Sequence, residues 1–251
     1  MRYPMILRSH ALLANMDNKL MSEELTYDKK ILRSDHVSLY VRLTSEQTNI
    51  YNLIVDVVNQ QHGSVFFVNG FGGFGKTFIW NTLTSTLRSC GDIVLAVASS
   101  GIASQLIPGG RTAHSRFAIP LDCNENSICN IIQASDLTNL LIHTKLIIWD
   151  KAPMTPRYCF EALDKPLSDI CGKDNSDCQR QPFGGKVIVF DGDFRQILRI
   201  IPRGSRQDIV LSSLNSSYIL DSCKVLTLTK NMRIGTRGNE TKNLTISEFA
   251  E

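Results

Sequence analysis

Residues 64–80, with the sequence SVFFVNGFGGFGKTFIW, decide the fold of this 251-residue chain. They begin with a short continuous apolar run, which predicts a buried strand, and they end with apolar residues at helical spacing. Between the two, Gly70 to Thr77 follow the pattern G-x-x-x-x-G-K-[ST], whose glycines let successive backbone N–H groups point at phosphate oxygens. The stretch therefore predicts a strand, a phosphate-binding loop and a helix, and a glycine-rich structural turn is the alternative.

The side chains of this loop indicate a nucleoside triphosphate with its magnesium ion. The helix N-terminus favours an anion, Lys76 would reach the β- and γ-phosphates, and the Thr77 hydroxyl would bind Mg²⁺. ATP and Mg²⁺ are therefore the expected cofactors. The predicted nucleotide-binding residues of the loop are Gly70, Gly72, Gly73, Phe74, Gly75, Lys76 and Thr77.

The stretch LIIWDKAPM at residues 146–154 begins with a second apolar run, LIIW. The acid Asp150 follows that run directly. Folds with a phosphate loop carry an acidic residue at the end of another strand, where it holds the magnesium ion through water. Asp150 is therefore predicted to be the second metal residue, beside Thr77. Taken alone, an aspartate that closes an apolar strand is as often a helix cap.

The rest of the chain alternates between strand and helix patterns. Strand patterns in IVLAVASS, KLIIWD, GKVIVFDGD and KVLTLT are separated by helical stretches. Such alternation predicts an α/β fold whose parallel sheet is covered by helices on both faces. Residues 44–61 predict a helix with Thr44 or Ser45 as its N-cap, and residues 108–120, PGGRTAHSRFAIP, predict a loop.

Composition narrows the classes of partner. A net charge of +3 permits a nucleic-acid partner without requiring one. The seven cysteines are scattered and never spaced as C-x-x-C, which argues against a zinc site or a disulfide framework. The sequence has no window of about 18 uncharged apolar residues, so a membrane span is not expected.

Six motifs now occur in one order: LTSEQ, GFGGFGKTF, VASSGIASQLIPGGRTAHSRF, LIIWDKAPM, GDFRQIL and LTKNMR. In that order they resemble the first motor domain of PIF-family DNA helicases of superfamily one, and most closely the plant and Helitron-transposon branch. The resemblance covers most of the chain and implies a RecA-like P-loop NTPase domain over residues 43–235. Residues 1–42 would be a partly helical N-terminal arm, and residues 236–251 a tail that ends before a second motor domain.

The resemblance also implies a function. PIF-family helicases use ATP to unwind DNA in the 5′ to 3′ direction, in DNA repair, recombination and telomere maintenance. Single-stranded DNA is then the expected partner, and a nuclear location is expected, with a mitochondrial one as the alternative. A second motor lobe would have to come from an adjacent segment or chain, so processive unwinding by this polypeptide alone is not expected.

Several residues acquire roles through the same resemblance. Gln47 in LTSEQ resembles the residue that reads the adenine edge, and a polar first-turn residue is the alternative. Gln196 in GDFRQ is similar to the γ-phosphate sensor, and Arg233 in NMR to the arginine that neutralises charge on the phosphates. Solvated surface positions are the alternative for both. The implied catalytic residues are Lys76, Asp150, Gln196 and Arg233.

The implied DNA-contacting residues lie between positions 99 and 117. Hydroxyl and imidazole groups would bind phosphates, an arginine would supply charge, and Phe117 would offer a stacking face. A core position is an equal alternative for Phe117, and a structural role is the alternative for His114. These implied residues are Ser99, Ser100, Arg111, Thr112, His114, Ser115, Arg116 and Phe117.

The chain departs from the family pattern at four positions. Lys151 stands where the family has a glutamate, and a positioned carboxylate base contributes about 10²- to 10⁴-fold in rate. Because an ammonium group cannot accept the proton of the attacking water, poor hydrolysis with retained ATP binding is expected. The alternative function is therefore a catalytically impaired remnant that binds ATP and single-stranded DNA. The other departures are Phe74 for a threonine, Asp191 for a glycine and Arg199 for a proline.

Overall fold

The centre of the protein is a six-stranded sheet, seen in a computed structural model that describes residues 18–172, 178, 180–193, 201 and 204–232. Its strands lie in the order β3-β2-β4-β5-β1-β6, and every neighbouring pair is parallel. The α/β class predicted from the alternating patterns is therefore confirmed. The strands are β1 (Ser64–Asn69), β2 (Ile93–Ala98), β3 (Arg111–Thr112), β4 (Thr144–Asp150), β5 (Val187–Gly192) and β6 (Cys223–Thr227).

Helices connect the strands and cover the sheet, as parallel pairing requires. None of the helices in the described ranges is long and apolar enough to cross a membrane. The α-helices are α1 (Lys19–Leu25), α2 (Lys29–Tyr40), α3 (Ser45–Gln60), α4 (Lys76–Cys90), α5 (Gly101–Ser104), α6 (Ala113–Phe117), α7 (Asp136–His143), α8 (Arg157–Cys171) and α9 (Arg206–Ser212).

Each face of the sheet buries its own hydrophobic cluster. On one face Trp149 of β4 packs against Phe160 of α8, with ring centroids 4.5 Å apart. On the other face Ile148 packs in a cluster with Trp80 of α4 and Ile54 of α3. The strands therefore carry apolar residues on both sides, which explains their continuous apolar runs in the sequence.

The register of β4 and β5 decides where their terminal acids point. Side chains alternate between the two faces along a strand, and Ile148 and Val189 both face the cluster that contains α4. Asp150 and Asp191 lie two positions further on in their strands. Both carboxylates therefore lie at the carboxyl edge of the sheet, on the face that carries the phosphate loop.

The N-terminal helices pack against this core. Glu24 of α1 is 4 % exposed and pairs with two arginines, Arg88 of α4 at 3.4 Å and Arg116 of α6. Buried ion pairs therefore join α1 to α4 on one face of the sheet and to α6 on the other. The boundary placed at residue 43 stays a prediction, as does the division at residue 235.

One segment differs from its expected structure. Residues 108–120, which the sequence predicts to be a loop, contain β3 and α6. β3 pairs only through Arg111 and Thr112, beside Val97 and Ala98 of β2. An element of two residues leaves no alternating pattern in the sequence, and for that reason the glycines and proline around it predicted a loop.

Candidate functional site

A cavity of about 540 Å³ opens at the carboxyl edge of the sheet. In open α/β sheets this edge is where ligands bind. The cavity joins the phosphate loop to the ends of β4 and β5. Its lining is formed by Phe71, Gly72, Gly73, Gly75, Lys76, Thr77, Leu106, Asp150, Lys151, Pro153, Met154, Asp191, Gly192 and Asp193.

The loop needs glycine at two of its positions. Gly73 and Gly75 have φ values of 94° and 77°, in the left-handed region that favours glycine. A Cβ atom at Gly75 would also lie 2.4 Å from the Gln47 side chain. Gly75 is the N-cap of the 15-residue helix α4, and this cap has no side-chain hydrogen bond. A phosphate oxygen is therefore a suitable partner for the start of α4.

Two of the predicted loop residues do not line the cavity. The ring of Phe74 is 8 % exposed and packs edge-on against Phe71, with centroids 5.4 Å apart. Its N–H donates to the Phe71 carbonyl at 3.3 Å. The ring of Phe74 is therefore part of the core, and its predicted contact with the nucleotide stays a prediction. Gly70 contributes a carbonyl that accepts a hydrogen bond from Lys76 instead.

Lys76 lies at the centre of the site and is held by oxygens of the chain itself. Its Nζ donates to the carbonyls of Gly70 and, at 3.4 Å, of Phe71. The same ammonium group lies 3.6 Å from Oδ1 of Asp191. A nucleotide phosphate would compete with these three oxygens for the lysine.

Asp191 gives the site a second carboxylate beside Asp150. The two residues are 1 % and 6 % exposed. Trp80 donates its indole N–H to Oδ2 of Asp191 at 2.7 Å, whereas Oδ1 has no hydrogen-bond partner. Burial raises the pKa of Asp191 well above its ordinary range, Lys76 opposes this shift, and Asp150 adds to it. The sequence marked Asp191 only as a departure from a pattern, and its place beside Lys76 became visible through the register of β5.

The residues present fit a magnesium ion and a triphosphate. Mg²⁺ prefers oxygen ligands and is usually held by one or two carboxylates together with substrate phosphates. Thr77, Asp150 and Asp191 supply a hydroxyl and two carboxylates to one cavity. No cluster of three or more His, Cys, Asp or Glu residues suited to a metal occurs within the described ranges. Phosphate oxygens would therefore complete the coordination.

Lys151 follows Asp150 and also lines the cavity. Its backbone is left-handed, with φ 55°, and its side chain is exposed. Its carbonyl accepts a hydrogen bond from the Ser99 hydroxyl at 2.7 Å. Lys151 therefore lines the cavity at the position where the family resemblance expects a glutamate.

Comparison with known proteins identifies the architecture. A family description, PIF1-like helicase, matches residues 42–251. The chain belongs to the PIF1-like helicase family. It is similar to the ATP-dependent DNA helicase PIF4 of Trypanosoma brucei brucei, with 27 % identity over 172 residues, which are 66 % of this chain and 19 % of that helicase. The ATP-dependent DNA helicase Pif1 of a Psychrobacter species is 25 % identical over 189 residues, covering 74 % of this chain and 28 % of that protein.

Solved structures place the match more narrowly. Pif1 helicase from Bacteroides, in complex with ADP-AlF3 and ssDNA, superposes with a TM-score of 0.62 and 25 % identity over 78 % of this chain. The superposition covers 44 % of the Bacteroides chain. The PIF1-like chain thus spans less than a third of the two curated relatives and less than half of that structure. It corresponds to roughly the first RecA-like motor domain.

Gln47 in the LTSEQ motif of this PIF1-like chain makes its hydrogen bonds at the start of α3 and with the phosphate loop. It is 1 % exposed and does not line the cavity. Its Oε1 accepts from the Thr44 N–H at 3.0 Å, while its N–H and the Thr44 hydroxyl complete a capping box. Its Nε2 donates to the Phe74 carbonyl at 3.3 Å. Reading an adenine edge would require Gln47 to exchange these bonds, so the base contact stays a prediction, while the first-turn polar alternative matches the bonds seen here.

Two predicted catalytic residues of the PIF1-like motifs, Gln196 and Arg233, lie outside the described residues. The chain just before the second of them does reach the loop, because the Met232 N–H donates to the Gly73 carbonyl at 3.0 Å. Further back, Glu46 accepts from the Thr229 N–H at 3.0 Å. Residues 229–232 are therefore tied to both the phosphate loop and α3.

The implied DNA residues of the PIF1-like lobe divide into two groups, and the first serves the fold. The Ser99 hydroxyl accepts from Trp149 and Thr155 and donates to the Lys151 carbonyl. Ser100 caps α5 by accepting from the Ala103 N–H at 3.3 Å. Both hydroxyls are therefore already engaged within the protein.

Arg116 and Phe117 belong to the same group. Arg116 is 4 % exposed and pairs with Glu24, and Phe117 is fully buried against Trp149. Both side chains therefore have partners inside the protein, Phe117 matches its core alternative, and their predicted DNA contacts stay predictions. In α6, the position of a residue along the helix decides whether its side chain faces the sheet and is buried. The aromatic character of the side chain does not decide this.

The second group retains accessible surface. Arg111 is 44 % exposed and pairs with Glu23 at 2.6 Å, and Ser115 is exposed as well. Thr112 and His114 are half-buried, and burial lowers the pKa of His114. These four residues, Arg111, Thr112, His114 and Ser115, are the ones that remain available to a nucleic acid.

Proposed function

We propose that this chain is the ATP- and Mg²⁺-binding motor lobe of a DNA helicase that unwinds DNA in the 5′ to 3′ direction. The observation that carries the proposal is the cavity in which the loop residues Lys76 and Thr77 meet the β4 acid Asp150. A phosphate loop and a metal-binding acid at the end of another strand are the two parts that bind a nucleoside triphosphate in this fold.

Different residues of the chain would bind the phosphates and the metal ion. Backbone N–H groups at the start of α4 orient the phosphates, and Lys76 exchanges its carbonyl and carboxylate partners for phosphate oxygens. Thr77 and Asp150 would hold Mg²⁺, which neutralises charge that develops on the phosphates. Ser99 links the turn at Lys151 to the segment that contains the accessible DNA residues. Nucleotide-dependent movement of that turn would therefore reach the DNA face.

Single-stranded DNA is the proposed partner. The related Bacteroides Pif1 was solved bound to ssDNA. The exposed arginine Arg111 and the hydroxyl of Ser115 lie on one segment of this chain and suit contacts to phosphates. The motif sequences support the plant and Helitron-transposon branch, and roles in nuclear DNA repair, recombination and telomere maintenance belong to the same proposal.

A second candidate function is favoured by Lys151. The lobe would bind ATP and single-stranded DNA without appreciable turnover, because an ammonium group stands where a general base would accept a proton. The extra positive charge would favour triphosphate binding. The two candidates therefore agree on binding and differ on hydrolysis.

Phosphate release with and without a single-stranded oligonucleotide distinguishes the candidates. We expect the unmodified chain to bind ATP and to hydrolyse it slowly, and Lys151→Glu to raise the DNA-stimulated rate by about 10²-fold or more. Lys145→Glu is the matched control, since it makes the same charge change at the other end of β4. Fast turnover by the unmodified chain would eliminate the second candidate. Failure to bind ATP at all would eliminate both.

A further inference from the structure

The function proposed above assigns the metal ion to Thr77 and Asp150 alone, although the carboxylate of Asp191 also lines the nucleotide cavity. We propose that Asp191 and Asp150 together form a two-carboxylate cation-binding site, and that Asp191 makes nucleotide binding by this lobe depend on a divalent cation. This inference rests on the proposed ATP site and adds the residue that sets its metal requirement.

The geometry isolates one oxygen of Asp191. Oδ2 is fixed by the Trp80 indole N–H at 2.7 Å. Oδ1 is buried, has no hydrogen-bond partner and lies 3.6 Å from Nζ of Lys76. The residue is 1 % exposed and lines the cavity. A buried carboxylate oxygen with no hydrogen-bond donor is costly unless a cation is nearby.

A bound nucleotide changes the surroundings of that oxygen. Lys76 must turn towards the phosphates to bind them, and this removes the cation that now lies near Asp191. The cavity would then contain the phosphates and two carboxylates, Asp150 and Asp191. Like charges placed together in a buried site repel strongly, so a second cation is required at this point.

The donor set determines which cation fits. Two carboxylates, the Thr77 hydroxyl and phosphate oxygens are all hard oxygen ligands. Mg²⁺ and Mn²⁺ accept such ligands, whereas a zinc site is typically built from nitrogen and sulfur. The fixed position of Oδ2 leaves Oδ1 as the atom of Asp191 that would face the ion.

The test is a titration of the full chain with a fluorescent ADP analogue, N-methylanthraniloyl-ADP, in excess MgCl₂ and in excess EDTA. For the unmodified chain we expect affinity in EDTA to be at least about tenfold weaker than in MgCl₂. Asp191→Asn keeps an acceptor for Trp80 and removes the charge. It should strengthen binding in EDTA and weaken binding in MgCl₂, so that the metal dependence shrinks to about threefold or less.

Opposite changes of nucleotide affinity in the two buffers distinguish a cation-binding role of Asp191 from a structural role. Loss of a structural role would weaken nucleotide binding in both buffers. Asp191→Gly, the residue that the family resemblance expects there, provides a second variant if the amide does not fold. Asp56→Asn on the exposed side of α3 is the charge-matched control and should leave the ratio unchanged. An equal Mg²⁺-to-EDTA ratio in the unmodified chain and both Asp191 variants would overturn this inference alone. Absence of binding in either buffer would overturn the proposed ATP site together with it.

Discussion

The phosphate loop and the 99–117 segment belong to the same motor lobe, but the sequence predicted their side chains with different success. In the loop, five of the seven predicted residues line one cavity. In the 99–117 segment, two of the eight implied DNA residues, Arg116 and Phe117, are buried, and the hydroxyls of Ser99 and Ser100 are hydrogen-bonded within the protein.

The difference follows from which atoms do the work. A phosphate loop binds mainly through backbone N–H groups, whose direction is set by local glycines such as Gly73 and Gly75. A DNA-contacting segment works through side chains, and their direction depends on what packs beneath them. Local sequence therefore determines the first kind of site, whereas the second kind requires the tertiary fold.

Glu24 connects the two regions and offers the strongest test of the comparison. It pairs with Arg88 in the last turn of α4, the helix that follows the phosphate loop, and with Arg116 in the 99–117 segment. Glu24→Ala would leave two buried guanidinium groups without their partner. We expect a loss of about 3–5 kcal/mol in the free energy of unfolding, measured by denaturation in urea.

The neighbouring acid is the matched control. Glu23 is 40 % exposed and pairs with Arg111 on the surface. Glu23→Ala should change the free energy of unfolding by less than about 1 kcal/mol. If the two variants were equally stable, the N-terminal helices would not be held by buried charge.

Substitution of Phe117 tests how much the 99–117 segment contributes to the stability of the hydrophobic core. Its ring is fully buried against Trp149, so Phe117→Ala should lower the free energy of unfolding by about 3–5 kcal/mol. Ile102→Ala is the control, because that side chain is 83 % exposed in the same segment. A stable Phe117→Ala protein that had lost DNA binding would instead support the stacking role for this ring.

Substitution of Lys76 tests whether the loop binds phosphate. Hydrogen bonds to charged groups contribute enough that Lys76→Ala should weaken the binding of an ADP analogue by about 10- to 100-fold. The chain should stay folded, since the ammonium group is bonded mainly to carbonyls of a surface loop. Lys30→Ala, on exposed helix α2, is the control. Unchanged affinity would mean that the loop does not bind phosphate through its lysine.

The sequence predicted the fold because its signals were local and redundant. The helix over residues 44–61 carried an N-cap signal, and the structure confirms Thr44 as the cap of α3. The runs in β1, β2, β4 and β5 are mainly apolar because both faces of the sheet are covered there. By contrast, the two-residue strand β3 has too few residues to show a period.

The site was predicted only in part, and Gln47 and Asp191 show why. The pattern T-x-x-Q is a capping box as well as part of a helicase motif, and the structure uses it as a cap. Asp191 stood out only because a glycine was expected there. Its contacts with Trp80 and Lys76 come from residues 111 and 115 positions away along the chain, which no local pattern reveals.

Arg111 provides the smallest expected effect and the most direct test of the DNA face. It is exposed, and Glu23 lies 2.6 Å away and competes with phosphate for its guanidinium group. Arg111→Ala should weaken the binding of a single-stranded oligonucleotide by a few-fold, roughly one phosphate contact, and reduce the salt slope of log K by about 0.7. Glu23→Ala should act in the opposite direction, because it frees the arginine. Fluorescence anisotropy at several salt concentrations measures both, with Arg33→Ala as the exposed-arginine control. Identical slopes for Arg111→Ala and the unmodified chain would show that DNA is bound elsewhere, and the accessible half of the 99–117 segment would then lose its proposed role as well.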